Sequence, residues 1–225
     1  MGSSKARQKT LEYLIEFILV IVGISIAFWL SELAEDGKKD KLEVQYLNDI
    51  LEDLQADVEL IDYLTLLNQS KTAELEKAVS MFQGDHRKIN PDSIPQYTEI
   101  MGNLNLFYPN NFTYITLKQS GDFKIIKNHD IRKRLVQLYS SYESIEFEQV
   151  NLTKALDDHF YSEYFNNYDL INDRIVNREF MTSSYISNFI AFSLSQTNSV
   201  LVFFERSKTI AEQTIELIEQ DLDIK

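Results

Sequence analysis

Residues 42–83 read LEVQYLNDILEDLQADVELIDYLTLLNQSKTAELEKAVSMFQ, and this stretch decides the fold class. Leu47, Leu51, Leu54, Val58, Ile61, Thr65, Asn68, Thr72, Leu75, Val79 and Phe82 follow one another at alternating spacings of four and three. That repeat places them along one side of an α-helix about five heptads long. Thr65, Asn68 and Thr72 are polar, so the stripe is expected to pack against other helices of the chain rather than form a self-sufficient coiled coil. Between Leu42 and Ser70 there is no Lys or Arg. Glu43, Asp49, Glu52, Asp53, Asp57, Glu59 and Asp62 all fall there, which predicts a strongly negative outer face. The plain reading of such a run is a solvated face. The functional one is an acidic interaction surface, with Asp49, Glu52, Asp53, Asp57, Glu59 and Asp62 receiving a basic partner or divalent cations.

Downstream, the same period returns between breaks. Gly84-Asp85-His86-Arg87-Lys88 and Asn90-Pro91-Asp92-Ser93 end the first helix and open a short one at about 94–102. Tyr108-Pro109-Asn110-Asn111 is the next break, with Asn111 capping a helix at 112–120 that Ser120-Gly121 closes. Asn128 or Asp130 caps a long helix at about 129–166. Its seam runs Ile131, Leu135, Leu138, Tyr142, Ile145, Gln149, Leu152, Leu156 and Phe160. A last helix at about 182–222 carries Ile186, Ile190, Leu194, Leu201, Phe204, Ala211, Ile215, Ile218 and Leu222. The expected fold is all-α, an elongated bundle of three long helices and two short ones.

Composition agrees with this. Six glycines and three prolines in 225 residues are too few for turn-rich β-sandwiches or barrels. The hydrophobic share of 44% is enough for one sizeable core. A net charge of −13 argues against nucleic acid as a partner. The absence of cysteine excludes disulfides, thiolate metal sites and thiol catalysis, and is compatible with either redox compartment.

Upstream, residues 14–30 read LIEFILVIVGISIAFWL, with Glu16 the single charge. At 1.5 Å per residue the run covers about 25 Å, and Leu11 and Leu33 extend it, so 14–33 is read as one transmembrane helix. It divides a tail, 1–13, from a bundle domain, 34–225. Tyr13 and Trp29 stand where interfacial aromatics belong. A cleaved signal peptide would want a small-x-small site after the run, and Ser31-Glu32-Leu33-Ala34 is a poor one. Lys5, Arg7 and Lys9 before the span balance Lys38, Lys39 and Lys41 after it; the free amino terminus favours a cytoplasmic tail and a periplasmic domain. The segment around Gly37 reads as a juxtamembrane stalk. Glu16, Val20, Gly23, Ala27 and Ser31 share one face of the span, and Gly23, Ala27 and Ser31 form a small-xxx-small series of the kind that lets membrane helices associate. Glu16 reads as a boundary charge that snorkels, or as an intramembrane group with a partner from another chain.

The Glu-bearing span Tyr13 to Ile24, followed by Tyr46-Leu47 and the acidic helix, resembles a Bacteroidota-type family of single-pass membrane proteins catalogued as domain of unknown function 6090. Phe112 to Gly121, then Ile125-Ile126-Lys127-Asn128 and the helix from Ile131 to Tyr139, is similar to that family's central pattern, and the resemblance covers nearly the whole chain. Trp29-Leu30-Ser31-Glu32 departs from the Asn-Trp-Asn type of sequence that usually follows the family's span. The resemblance implies an inner-membrane protein with one span; it implies no activity, ligand or catalytic residue.

No catalytic constellation is read. There is no phosphate-binding glycine loop, no Gly-x-Ser-x-Gly and no His-Glu-x-x-His. His86, His129 and His159 are far apart, and Asp157, Asp158 and His159, adjacent on a helix, point in different directions. No catalytic residue, cofactor or metal is therefore expected. The aromatics Phe160, Tyr161, Tyr164, Phe165 and Tyr168 read as core packing or, alternatively, as a pocket. Lys118, Lys124 and Lys127, around Ser120-Gly121-Asp122, are the most basic spot. The expected function is that of a structural or interaction component, scaffold or assembly, without catalytic activity. Its partners would be the lipid bilayer and a second copy or another membrane protein, with no nucleic acid and no known small molecule. The alternative is an extracytoplasmic sensory or ligand-binding bundle that signals through a partner protein. A concave pocket at the Tyr161 to Tyr168 cluster would favour that alternative.

Overall fold

The computed structural model describes residues 3–84 and 88–224, with side chains from residue 16 and up to residue 223. The tail's first two residues, the Asp85-His86-Arg87 break and the side chains of Tyr13 and Leu14 lie outside the described residues. Among the described residues the chain is all-α apart from one hairpin of two two-residue strands. The elements are α1 (Ser3–Phe82), α2 (Pro95–Gly102), α3 (Phe112–Ser120), α4 (His129–Ala155), a π-helical turn (Leu156–Phe160), α5 (Tyr161–Asn167), β1 (Tyr168–Asp169), β2 (Arg174–Ile175), α6 (Arg178–Met181) and α7 (Ser184–Ile224).

α1 is a single helix of 80 residues, about 120 Å long, running from the apolar stretch into the bundle. The segment read as a stalk is part of it. No proline precedes Pro91, a mid-helix glycine such as Gly37 costs only about 1 kcal/mol against alanine, and Lys39 pairs with Glu35 at 2.9 Å one turn away. Every described side chain from Glu16 to Lys41 is exposed, and burial begins at Leu42. The apolar stretch is long enough to cross a membrane, lies near the amino terminus and is left exposed by the described residues.

From there α1 runs away from the apolar stretch, α4 runs the same way, and α7 returns antiparallel, packed along both. α2 lies against the far end of α1. The connection from Asn103 to Asn111 has no regular structure and runs back along α1: Asn105 reaches Asn68, and Asn110 reaches Asp57. The α4 seam is buried as its spacing predicts, all nine members from Ile131 to Phe160. Asn128 caps α4 through bonds to the Asp130 and Ile131 N–H groups, and Gly121 takes the left-handed conformation, φ +80°, that closes α3.

The α1 seam differs from its expected line. Leu47, Leu54, Ile61, Asn68, Leu75 and Phe82 are buried, but the other half of the line is Ile50, Asp57, Leu64, Lys71 and Ala78. Leu51, Val58, Thr65, Thr72 and Val79 sit half-buried beside it. The physical reason is that α1 is covered by α7 and by the 103–111 connection together, so its buried stripe is wider than a two-helix seam. α7 shifts in the same way: Ser193, Thr197, Ser207 and Thr214 are buried, whereas Leu194, Leu201, Ile215 and Leu222 are half-buried. Small side chains suit a helix flanked on two sides, and Ser141 and Ser207 meet at 2.7 Å between α4 and α7. Asn68, Lys71, Gln149 and Thr197 converge in a polar layer. One apolar cluster, with Leu54, Ile131 and Phe204, lies on the side of the apolar stretch; the other, with Leu75, Met101, Phe160 and Ile190, lies at the far end.

Candidate functional site

A backbone segment with no helix or strand of its own still has to place its N–H and C=O groups. The buried polar residues of the bundle do this for the 103–111 connection. Asp57 Oδ1 accepts from the Asn110 N–H at 2.8 Å and from Asn110 Nδ2 at 3.0 Å. Lys71 Nζ donates to the carbonyls of Met101 (3.1 Å) and Asn103 (2.7 Å). Gln149 accepts from the Phe107 N–H, and the Tyr139 hydroxyl donates to the Asn110 carbonyl. Glu43 does the same at the turn before α4, accepting from the Lys127 N–H at 2.6 Å.

Burial without a countercharge moves both charged groups. Asp57 is pushed up to about 6, because burial outweighs the bonds from Asn110. Lys71 is brought down to about 8 by burial. The Tyr142 hydroxyl faces Asp57 without hydrogen-bond geometry; it is pushed upward by burial and by that negative charge.

This corrects the acidic surface. Asp57 is fully buried and belongs to the interior, and Glu43 is buried with it. Asp49 and Asp53 are half-buried; Glu52, Glu59 and Asp62 are exposed, with Asp62 held by Lys208 at 2.5 Å. Of the basic spot, Lys127 is taken up within the chain, its Nζ pairing with Asp40 at 2.5 Å, and Lys118 lies 5.8 Å over the Tyr114 ring. Glu16, Val20, Gly23, Ala27 and Ser31 lie exposed on the apolar part of α1, and a methyl group at Gly23 would meet nothing within 4 Å. Asp157, Asp158 and His159 are exposed on the π-helical turn. Among the described residues no group of three or more His, Asp and Glu side chains is placed to hold a metal ion.

The aromatic cluster is where the structure brings most together. Phe160, Tyr164 and Tyr168 follow each other at four-residue spacing and are buried, each stacked on the next at 5.1 and 5.3 Å between ring centroids. Tyr161 stacks on the exposed Phe165 at 5.6 Å. These rings form one wall of an open cavity of about 860 Å³ at the far end of the bundle. α2 forms the opposite wall. The Tyr164 hydroxyl accepts from Thr98 at 2.9 Å, and glycine at position 102 leaves room for the Tyr161 hydroxyl, which a Cβ there would approach to 3.2 Å.

The hairpin β1–β2 and α6 complete the rim. Asp169 accepts from the Ile171 and Asn172 N–H groups to turn the chain. Asp173 sits at φ +49° and receives the Tyr168 hydroxyl, which that bond, followed by burial, pushes up to about 12. Arg178 makes a two-pronged bond to Asp92 at 2.7 and 2.8 Å. Glu99, Asp173, Arg174 and Arg178 did not emerge from the sequence as site residues. They come from α2, the hairpin and α6, and no local pattern connects them. A second open cavity, about 760 Å³, lies between the 103–111 connection and α4 and is lined by Tyr108, Tyr114, Ile115, Lys118, Glu146 and Val150 among others.

Comparison of the chain with protein-family profiles, curated proteins and solved structures finds no match in any of the three.

Proposed function

We propose that this protein is a single-pass, membrane-anchored helical bundle that acts as a structural or interaction component, without catalytic activity of its own. The observation that carries the reading is α1: one uninterrupted helix joins an apolar stretch, left exposed by the described residues, to the bundle's core. In this reading the apolar stretch, 14–33, spans the bacterial inner membrane, as the resemblance to the Bacteroidota-type family implies, and the helical bundle stands in the periplasm. Gly23, Ala27 and Ser31 supply the face for a second copy or another membrane protein, and exposed Glu52 and Glu59 leave α1 negative where a partner would approach.

In-cell crosslinking of the tagged full-length protein in its native membrane, with mass-spectrometric identification, tests this. Recovery of the protein with itself and with one other membrane component supports the reading. Recovery of monomer alone removes it, and so does unchanged association after Gly23→Ile with Ala27→Ile. Orientation is tested by cysteine substitution, since the chain has no cysteine. Asn172→Cys should react with a membrane-impermeant maleimide added outside spheroplasts, and Lys5→Cys should not.

A second reading is favoured by the cavity beside Tyr161 to Tyr168: a ligand-binding bundle that signals through a partner protein. Its volume lies within the roughly 300–1,000 Å³ of small-molecule sites. α1 would carry a change at that end to the membrane, since Phe82 and Leu33 are separated by about 74 Å of one helix.

A further inference from the structure

The distal cavity has a charge pattern that its size does not imply. Of the charged groups lining it, Arg178 is committed to Asp92 through both guanidinium nitrogens, and Arg174 leans on Asp169 at 3.4 Å. The carboxylates on the other side are not neutralised. Glu99 has no ion pair or hydrogen bond among the described residues, and Asp173 receives only the Tyr168 hydroxyl. Glu99 reaches in from α2 and Asp173 from the hairpin. Both line the same cavity as Tyr164 and Tyr168, and Asp173 takes the Tyr168 hydroxyl. The uncharged lining combines Tyr161, Phe165, Leu170 and Ile175 with the polar Gln96 and Thr98 of α2.

We propose that this cavity binds a small organic cation, an ammonium group on an apolar or aromatic body, with the charge between Glu99 and Asp173 and the body against Tyr161, Phe165 and Leu170. The proposal rests on the ligand-binding reading and names its ligand class. An anion finds Arg178 already bonded through both nitrogens and only Arg174, itself held to Asp169 by one 3.4 Å contact, to set against the two carboxylates. A bare divalent ion finds too few ligands, since no group of three metal-binding side chains forms among the described residues. An ammonium group gains from two unneutralised carboxylates and from nearby aromatic rings, to which cations are attracted in a partly desolvated site.

The test is calorimetric titration of the full-length protein in detergent with phenethylamine and choline, and with 2-phenylethanol and phenylacetate as neutral and anionic counterparts of the first. Titrations are run at physiological ionic strength, so that attraction to the chain's overall charge is screened. The expected result is binding of the two cations, with the neutral and anionic compounds weaker by about tenfold or more. Glu99→Gln, at an exposed position that carries no structural bond, should weaken the cations by about tenfold. Asp173→Asn should do the same, and Glu146→Gln in the other cavity should leave binding unchanged. Equal binding of 2-phenylethanol or phenylacetate, or cation binding that survives Glu99→Gln, overturns the cation class and leaves the ligand-binding reading standing. Absence of binding by all four compounds overturns both.

Discussion

Asp57 and Lys71 are opposite charges on one buried line of α1, fourteen residues and therefore about 21 Å apart, too far to neutralise each other. Each instead holds the backbone of the 103–111 connection. Asp57→Ala leaves the part-buried Asn110 N–H without its acceptor and should cost about 1–2 kcal/mol in denaturant unfolding. Asp57→Asn keeps an acceptor and removes a charge that has no countercharge, so at pH 8 it should match or exceed the parent's stability; a loss as large as alanine's would contradict this account. The pH dependence has a definite sign. Asp57 titrates higher in the folded chain than its ordinary 3.8, so the folded form holds the proton more tightly. Its contribution is full below about 4 and is lost as pH rises through about 6. Lys71 titrates lower than its ordinary 10.5, so its contribution is full above that value and is lost as pH falls through about 8. Unfolding free energies across this range should lose the acid limb in Asp57→Asn and the alkaline limb in Lys71→Met. Lys71→Met should also cost about 1–2 kcal/mol near neutrality, from two carbonyls left without a donor.

At the scale of elements, the amino-terminal half of α1 is held straight almost entirely by its own backbone hydrogen bonds, since residues 16–41 are exposed and, among the described residues, only the Lys127–Asp40 pair reaches it from elsewhere in the chain. Spin labels at Phe28→Cys and Asn48→Cys, in a chain otherwise free of cysteine, should give one narrow distance near 30 Å, the length of twenty helical residues. Gly37→Pro removes a helix hydrogen bond and clashes with the preceding turn, so the same pair should then show a shorter, broader distribution. An equally broad distribution in the parent would mean that the bundle and the apolar stretch are not rigidly joined. The legibility of each helix follows from how many sides are covered. α4 has a single dominant partner in α7, and its seam could be read residue by residue from spacing. α1 and α7 are covered on two sides. There the buried line takes in Asp57, Lys71, Ser193, Thr197 and Ser207, which a search for apolar repeats passes over.

For the molecule as a whole, α7 is the helix packed along both α1 and α4, and it runs through both apolar clusters. Its amides between Ile186 and Ile218 should therefore exchange with solvent most slowly, and those of the hairpin, held by four residues of strand, most quickly. Hairpin amides as protected as those of α7 would show that the distal cavity is a rigid part of the core. The sequence by itself determined the helical class, the apolar stretch, the α4 seam, the Gly121 cap and, to within Asn128 or Asp130, the cap of α4. Each depends on chemistry within a few residues, either the helical period or a side chain that bonds its own neighbouring backbone. Only the tertiary structure decided that Asp57 and Glu43 leave the acidic face for the interior, and that α2, α5, the hairpin and α6 meet around one cavity. Those outcomes depend on which distant segment covers a given face. A carboxylate on a helix is solvated or buried according to whether another chain segment brings it an N–H to bind, and no periodicity within the helix records that arrival.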